Sequence, residues 1–92
     1  MSAQTQWTET KAGLEKTYTL KDFVEALAFT LETGKLAEQA RHHPDIDIRW
    51  NKVKLTLITH DAGNRVTDKD RALAAAIDRI DIRALERPEG FN

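Results

Sequence analysis

The chain contains no cysteine, which excludes disulfides, thiolate nucleophiles and cysteine-ligated metals together. It also has no apolar run near the ~20 residues that a membrane-crossing helix needs. Its opening residues, Met1-Ser2-Ala3-Gln4-Thr5-Gln6, lack the apolar core of a signal peptide, so a cytoplasmic location is expected. An excess of one charge is missing too. Fourteen Lys and Arg stand against fifteen Asp and Glu, for a formal charge of −1. A chain so balanced offers no general field for nucleic-acid phosphate or anionic lipid, so neither direct nucleic-acid binding nor membrane binding is expected. Low-complexity segments and internal repeats are absent as well. What is present, 40% apolar and 32% charged residues in a chain of 92, suits an ordinary globular protein with one compact domain over 1–92.

Hydrophobic periodicity gives the element order. Residues 7–20 alternate loosely around Lys11-Ala12-Gly13, which predicts two short strands and a turn. Thr19 with Asp22 three residues later resembles a capping box. Leu20, Phe23, Val24, Leu27 and Leu31 then recur at helical spacing and predict a helix over about 20–40. Gly34 costs that helix about 1 kcal/mol against alanine, which suggests close packing against a neighbour. From Ile46 the period becomes two. Ile46, Ile48 and Trp50 share one face, and beyond a bend at Asn51-Lys52 so do Val53, Leu55 and Leu57, as in a hairpin with one buried face. Lys52, Lys54, Thr56, Ile58 and His60 fall on the opposite face, where Lys52 and Lys54 suit a solvated surface. Asp61-Ala62-Gly63-Asn64 is turn chemistry. Thr67 and Asp70 then restart a helix with Leu73, Ile77 and Ile80 inward, and the tail from about Ala84 is expected to fray. The fold class read from this order is α+β, a four-stranded antiparallel sheet with helices packed on one face in the order β-β-α-β-β-α.

All three histidines belong to one constellation. Glu38 is followed after three residues by His42-His43-Pro44, after five more by Trp50, after nine by His60 and after nine again by Asp70. With Lys21-Asp22-Phe23, Ala37-Glu38, Asn51-Lys52-Val53 and Arg71-Ala72-Leu73-Ala74, this pattern resembles the signature of the pterin-4a-carbinolamine dehydratase family from about Trp7 to Ile80. The resemblance implies the same α+β architecture, though the helix that usually leads the family's first strand has no room before Trp7. It also implies hydro-lyase activity on 4a-hydroxytetrahydropterin, giving quinonoid dihydropterin and water. That reaction needs no cofactor of the protein's own and is linked to an aromatic amino acid hydroxylase in tetrahydrobiopterin recycling.

The residue roles carried over are specific. Residues matching His42 and His60 are the family's acid/base pair, and His43 helps hold the pterin. Independently, two imidazoles across one cleft suit a reaction that must give one proton and take another near neutral pH. Glu38, one helical turn before His42, is expected to orient that side of the site, and Asp70 to orient His60. Pro44 stiffens the exit from the histidine pair. Trp50 offers a flat face to a bicyclic ring, while its place in the alternation suits a core residue. Asp70 also suits a helix cap, and Arg41 a helix C-terminal charge. Two other readings stand beside dehydration. One is a two-histidine, one-carboxylate metal site built from His42, His60 and either Glu38 or Asp70. The other is a protein-binding module, since some family members are dimerisation cofactors for a homeodomain transcription factor. One departure from the family pattern is the loop Ala62–Val66, a residue longer than the usual Gly-Leu-Thr version, which bears on where Asp70 lies relative to His60. An exposed sheet edge leads to the expectation of a homodimer or tetramer.

Overall fold

The computed structural model describes residues 6–91. Strands β1 (Thr8–Thr10) and β2 (Gly13–Thr19) form the first hairpin, and helix α1 (Phe23–Ala40) follows. A second hairpin, β3 (Asp45–Arg49) and β4 (Lys52–Leu57), leads through a single 3₁₀ turn (His60–Ala62) to α2 (Asp68–Asp78) and a further 3₁₀ turn (Ile82–Ala84). The sheet is antiparallel throughout, in the order β1-β2-β4-β3. This is the expected α+β arrangement and element order.

Register explains the core. Leu14 pairs with Leu57, Lys16 with Leu55 and Tyr18 with Val53, and because strand side chains alternate, all six point to one face. That face is covered by Phe29 and Ala37 of α1 and by Leu73 and Ile77 of α2. The other face carries Lys52, Lys54 and Thr56 of β4, as expected, and Lys54 reaches Glu15 on the neighbouring strand at 3.7 Å. A second carboxylate ties helix to sheet on the inner face. Asp78 near the end of α2 accepts from Lys16 Nζ at 2.7 Å, from Trp7 Nε1 at 3.1 Å and from the Tyr18 hydroxyl. Burial and the neighbouring Asp78 carboxylate push the Tyr18 phenol far up.

Several expectations need correction. Helix α1 begins at Phe23, after Leu20, because Asp22 is the cap. Its carboxylate accepts the Glu25 N–H at 2.8 Å, while Glu25 accepts the Lys21 N–H at 2.8 Å. The large apolar stripe of α1 is not the buried one. Phe23 and Leu31 are exposed, while Ala26, Phe29, Thr33 and Ala37 face the sheet; small side chains let the helix lie close to it. Gly34 has no neighbour within 4 Å of where a Cβ would stand, so close packing within the chain does not explain it. Trp50 leaves the Ile46/Ile48 alternation. It sits in the tight β3–β4 turn with φ 53° and is 66% exposed. Its neighbour Asn51 is buried there instead, donating from side-chain Nδ2 to the Leu20 carbonyl at 2.9 Å and accepting the Leu20 N–H at its backbone carbonyl at 2.7 Å. The chain after Ala84 is held at its start, since Leu85 packs against the core.

The turn of the first hairpin requires glycine. Gly13 has φ +136°, and a Cβ there would lie 2.3 Å from the Leu57 carbonyl oxygen. Gly13→Ala is therefore expected to destabilise the fold by at least about 1–3 kcal/mol through backbone strain and a forced shift of β4. Urea denaturation followed by far-ultraviolet circular dichroism measures this, and an unchanged midpoint would contradict it.

Candidate active site

Three chain segments converge where α1 ends and α2 begins. Helix α1 stops at Arg41, whose φ of 53° reverses the chain, and the His42 N–H reaches back to the Ala37 carbonyl at 3.1 Å. This reversal separates two adjacent side chains. The His42 ring turns inward, with its side chain 12% exposed, and its Nε2 meets Asp70 Oδ1 at 2.5 Å. His43 points outward, 67% exposed, and its Nε2 meets Glu38 Oε1 at 2.9 Å. Pro44 follows, half-buried, and carries the chain into β3.

Asp70 is fully buried at the third position of α2. Its Oδ2 accepts the Thr67 N–H at 2.8 Å, as a helix-capping carboxylate does, and the Thr59 hydroxyl at 2.8 Å. Thr59 in turn lies 2.7 Å from the Thr67 hydroxyl. With Thr59 donating to Asp70, the Thr67 hydroxyl donates to Thr59. Burial alone pushes the Asp70 carboxyl up. Hydrogen bonds from His42, the Thr67 backbone and Thr59, together with the charge of His42, outweigh burial and hold it below the ordinary carboxylate range. An ionised Asp70 can only accept, so the proton between the pair resides on His42 Nε2.

Capping and orienting thus coexist in Asp70, but the ring it orients is His42, where His60 was expected. Glu38 likewise meets His43, where His42 was expected. The reason in both cases is the αL reversal at Arg41. It swings His42 away from the exposed side of α1, where Glu38 lies, and toward the start of α2. His60 is not at the end of a regular strand. β4 ends at Leu57, Thr59 pairs with Arg65 in an isolated bridge, and His60 opens the 3₁₀ turn, exposed, with Nδ1 2.7 Å from Asn64 Oδ1.

His42, His43 and His60 line one open cleft of about 230 Å³ together with Thr59, Asp61 and Lys69. A larger depression of about 530 Å³, between α1, α2 and the C-terminal segment, contains none of the histidines. All three histidines, the side chains best suited to proton transfer near neutral pH, come together at the smaller cleft, which we take as the site. Trp50 is not brought to it. From the turn at Trp50 to Thr59 the chain runs along β4, roughly 25–30 Å at strand rise. The two-histidine, one-carboxylate set does not assemble either, because Glu38 turns to His43 and both oxygens of Asp70 are occupied by His42, Thr59 and Thr67. Thr59 and Asn64 were missed as site residues. Thr59 was within reach of parity, since it continues the inward series Val53, Leu55, Leu57; Asn64 carried only a turn signal.

Asp70 links the site to stability. Its folded-state pKa lies below the ordinary value of 3.8, so its contribution is complete above that value and is lost as pH falls through the folded pKa. Asp70→Asn is expected to cost about 1–3 kcal/mol at neutral pH, the usual penalty for a disrupted buried hydrogen-bond set. It should also flatten the loss of stability between about pH 5 and 2. Urea midpoints across that range are the measurement, and parallel curves for the two proteins would refute the assignment.

Comparisons with known proteins agree with the sequence and the fold. The family model described as Pterin 4 alpha carbinolamine dehydratase matches residues 1–80. A Roseiflexus castenholzii protein provisionally named pterin-4-alpha-carbinolamine dehydratase is 54% identical over 76 residues, covering 83% of this chain and 81% of that protein. A Chloroflexus aurantiacus protein with the same provisional name is 49% identical over 80 residues, covering 87% of this chain and 85% of its own. Among solved structures, the transcriptional coactivator/pterin dehydratase of Brucella melitensis superposes with a TM-score of 0.74 at 27% identity, covering 82% of this chain and 81% of that one. A pterin dehydratase-like protein described as a RuBisCO assembly factor in the alpha-carboxysome gives 0.69 at 22% identity, over 89% of this chain and 94% of its own, and shares the fold. With most of its length matched by the family model and by relatives at about half identity, the chain belongs to the pterin-4a-carbinolamine dehydratase family.

Proposed function

We propose that this protein dehydrates 4a-hydroxytetrahydropterin, with His42 and His60 as its acid/base pair and His43 holding the pterin. In this reaction the C4a–O bond breaks, the oxygen leaves as water after taking a proton, N5 gives up its proton and a C4a=N5 double bond forms. The need is for one proton delivered and one removed on a single small ring system. The observation that carries the reading is the placement of two imidazoles on one cleft, with His42 held by the buried Asp70 carboxylate. A positioned acid or base contributes about 10²–10⁴-fold, so the pair accounts for a substantial acceleration without any cofactor. Asp70, Thr59 and Thr67 act through His42, and Glu38 through His43.

In a cell this chemistry serves whichever reaction leaves a hydroxyl on pterin C4a, as an aromatic amino acid hydroxylase does. The decisive assay follows dehydration of freshly generated 4a-hydroxytetrahydropterin by ultraviolet absorbance. Wild type should accelerate it, and His42→Ala and His60→Ala should each lose about 10²-fold or more, the contribution of a positioned proton donor or acceptor. No acceleration by folded wild type would overturn the reading and favour a protein-binding role.

A homo-oligomer is also proposed. Among the described residues strand β3 is an edge of the sheet, and its Ile46 is 40% exposed. Phe23 and Leu31 add an exposed apolar stripe along α1. Such edges and stripes are ordinarily covered. Sedimentation equilibrium at micromolar concentration should therefore give a dimer or larger, and monomer alone would refute it.

A further inference from the structure

We propose that Asn64 is a positioning residue for the reaction, fixing the tautomer of His60 so that its Nε2 faces the cleft as a proton acceptor. The inference rests on the dehydratase reading of this site and deepens it by assigning unlike roles to the two histidines.

The geometry is local and well supported. His60 Nδ1 lies 2.7 Å from Asn64 Oδ1. An amide oxygen only accepts, so the proton of the neutral ring stands on Nδ1 and the lone pair on Nε2. A free neutral histidine prefers the opposite tautomer, which places its proton on Nε2 and would present a donor. Asn64 reverses that preference, as the hydrogen bond made by one ring nitrogen decides the state of the other.

The loop holds Asn64 in place to do so. Thr59 and Arg65 close it with a reciprocal backbone pair, the Thr59 N–H to the Arg65 carbonyl at 3.0 Å and the Arg65 N–H to the Thr59 carbonyl at 3.3 Å. Within it the Gly63 N–H bonds the His60 carbonyl at 3.1 Å, and Gly63 and Asn64 take φ of 81° and 57°. Two successive left-handed residues bring the chain back over His60. Asparagine tolerates that conformation better than any other residue with a side-chain acceptor of this reach, except aspartate.

The consequence is an asymmetric site. His42 has its Nε2–H committed to an ionised carboxylate, and His60 has its Nδ1–H committed to a neutral amide. The amide orients without adding charge, so His60 offers an open lone pair to take the N5 proton, while the leaving oxygen takes its proton from His42 in its doubly protonated form, at the ring nitrogen that Asp70 does not hold, and both rings then exchange protons with solvent.

The test combines imidazole ¹⁵N chemical shifts, which separate protonated from bare ring nitrogens, with pH profiles of kcat and KM. Proteins compared are wild type, Asn64→Gly, which keeps the left-handed backbone, and Asn64→Asp, which keeps the acceptor. His60→Ala assigns the signals. Wild-type His60 is expected to carry its proton on Nδ1, and Asn64→Gly to shift it toward Nε2. In that variant kcat should fall about tenfold, a part of the ~10²–10⁴ of a positioned base, with KM changed less than about threefold. Asn64→Asp should recover kcat at high pH with its acid limb displaced upward, because a carboxylate beside an imidazole favours the protonated ring. An active wild type with the His60 proton on Nε2 would overturn the proposal, as would Asn64→Gly with unchanged tautomer and kcat. An inactive wild type with the proton on Nδ1 would instead overturn the dehydratase reading, and with it the role of His60 as base.

Discussion

The carboxylate of Asp70 is the point on which the site and much of the fold depend. It is fully buried, and a buried charge is tolerable only where every lone pair finds a donor. Here the donors come from three places in the chain. Thr67 provides the first turn of α2, Thr59 the chain just beyond β4, and His42 the chain just beyond α1. Satisfying one anion therefore fixes the relative position of both helices and the sheet at that end of the molecule. The cost of burying charge is met by contacts that also build the site, so loosening any one donor both weakens the fold and frees the imidazole.

A second carboxylate on the same helix acts in a related way. Asp78 lies eight residues after Asp70, about 12 Å along α2 at helical rise. It binds Lys16 and Tyr18 of β2 and Trp7 just before β1, and the hydrogen bonds of Lys16, Tyr18 and Trp7 with the charge of Lys16 overcome burial to lower its pKa. Helix α2 is thus fastened at both ends by acids, to the chain just beyond α1 and β4 at one end and to β2 at the other. Between them Leu73, Ala74 and Ile77 supply the apolar contact. Burial holds the helix down, and the two acids set its register.

Element order and approximate helix positions were legible in the sequence because each rests on a period, whereas the strand order within the sheet was not. The inward series Val53, Leu55, Leu57 requires only that a strand alternate, and Thr67 with Asp70 requires only that a helix start be capped. The family constellation likewise placed His42 and His60 on one cleft. What the sequence did not disclose was the partner of each acid. Spacing puts Glu38 one turn from His42, and it takes the left-handed backbone of Arg41, invisible in a residue that ordinarily avoids it, to send His42 to Asp70 and leave Glu38 to His43. Trp50 fails for the same reason. A tryptophan with positive φ is uncommon, and the alternation that suggested a buried ring ends one residue before it. Long-range pairings of polar side chains and the few backbone reversals that set them are what a single sequence conceals.

The two histidines differ as much in their footing as in their partners. His42 is held by packed elements on three sides and is nearly enclosed, whereas His60 stands exposed on a one-turn helix in a loop closed by two backbone hydrogen bonds. Local opening is easiest where few apolar contacts are buried, so the His60 loop can yield while the His42 side stays fixed. A cleft with one rigid wall and one yielding wall suits a small ligand that must enter and leave. The rigid wall keeps an imidazole against a buried anion, where an error of position would cost stability. The yielding wall carries an imidazole tied to Asn64 within its own loop. Placing the imidazole bound to the acid in the core and the other in the loop is the arrangement in which the fold's need for a satisfied buried acid and the cleft's need for access do not compete.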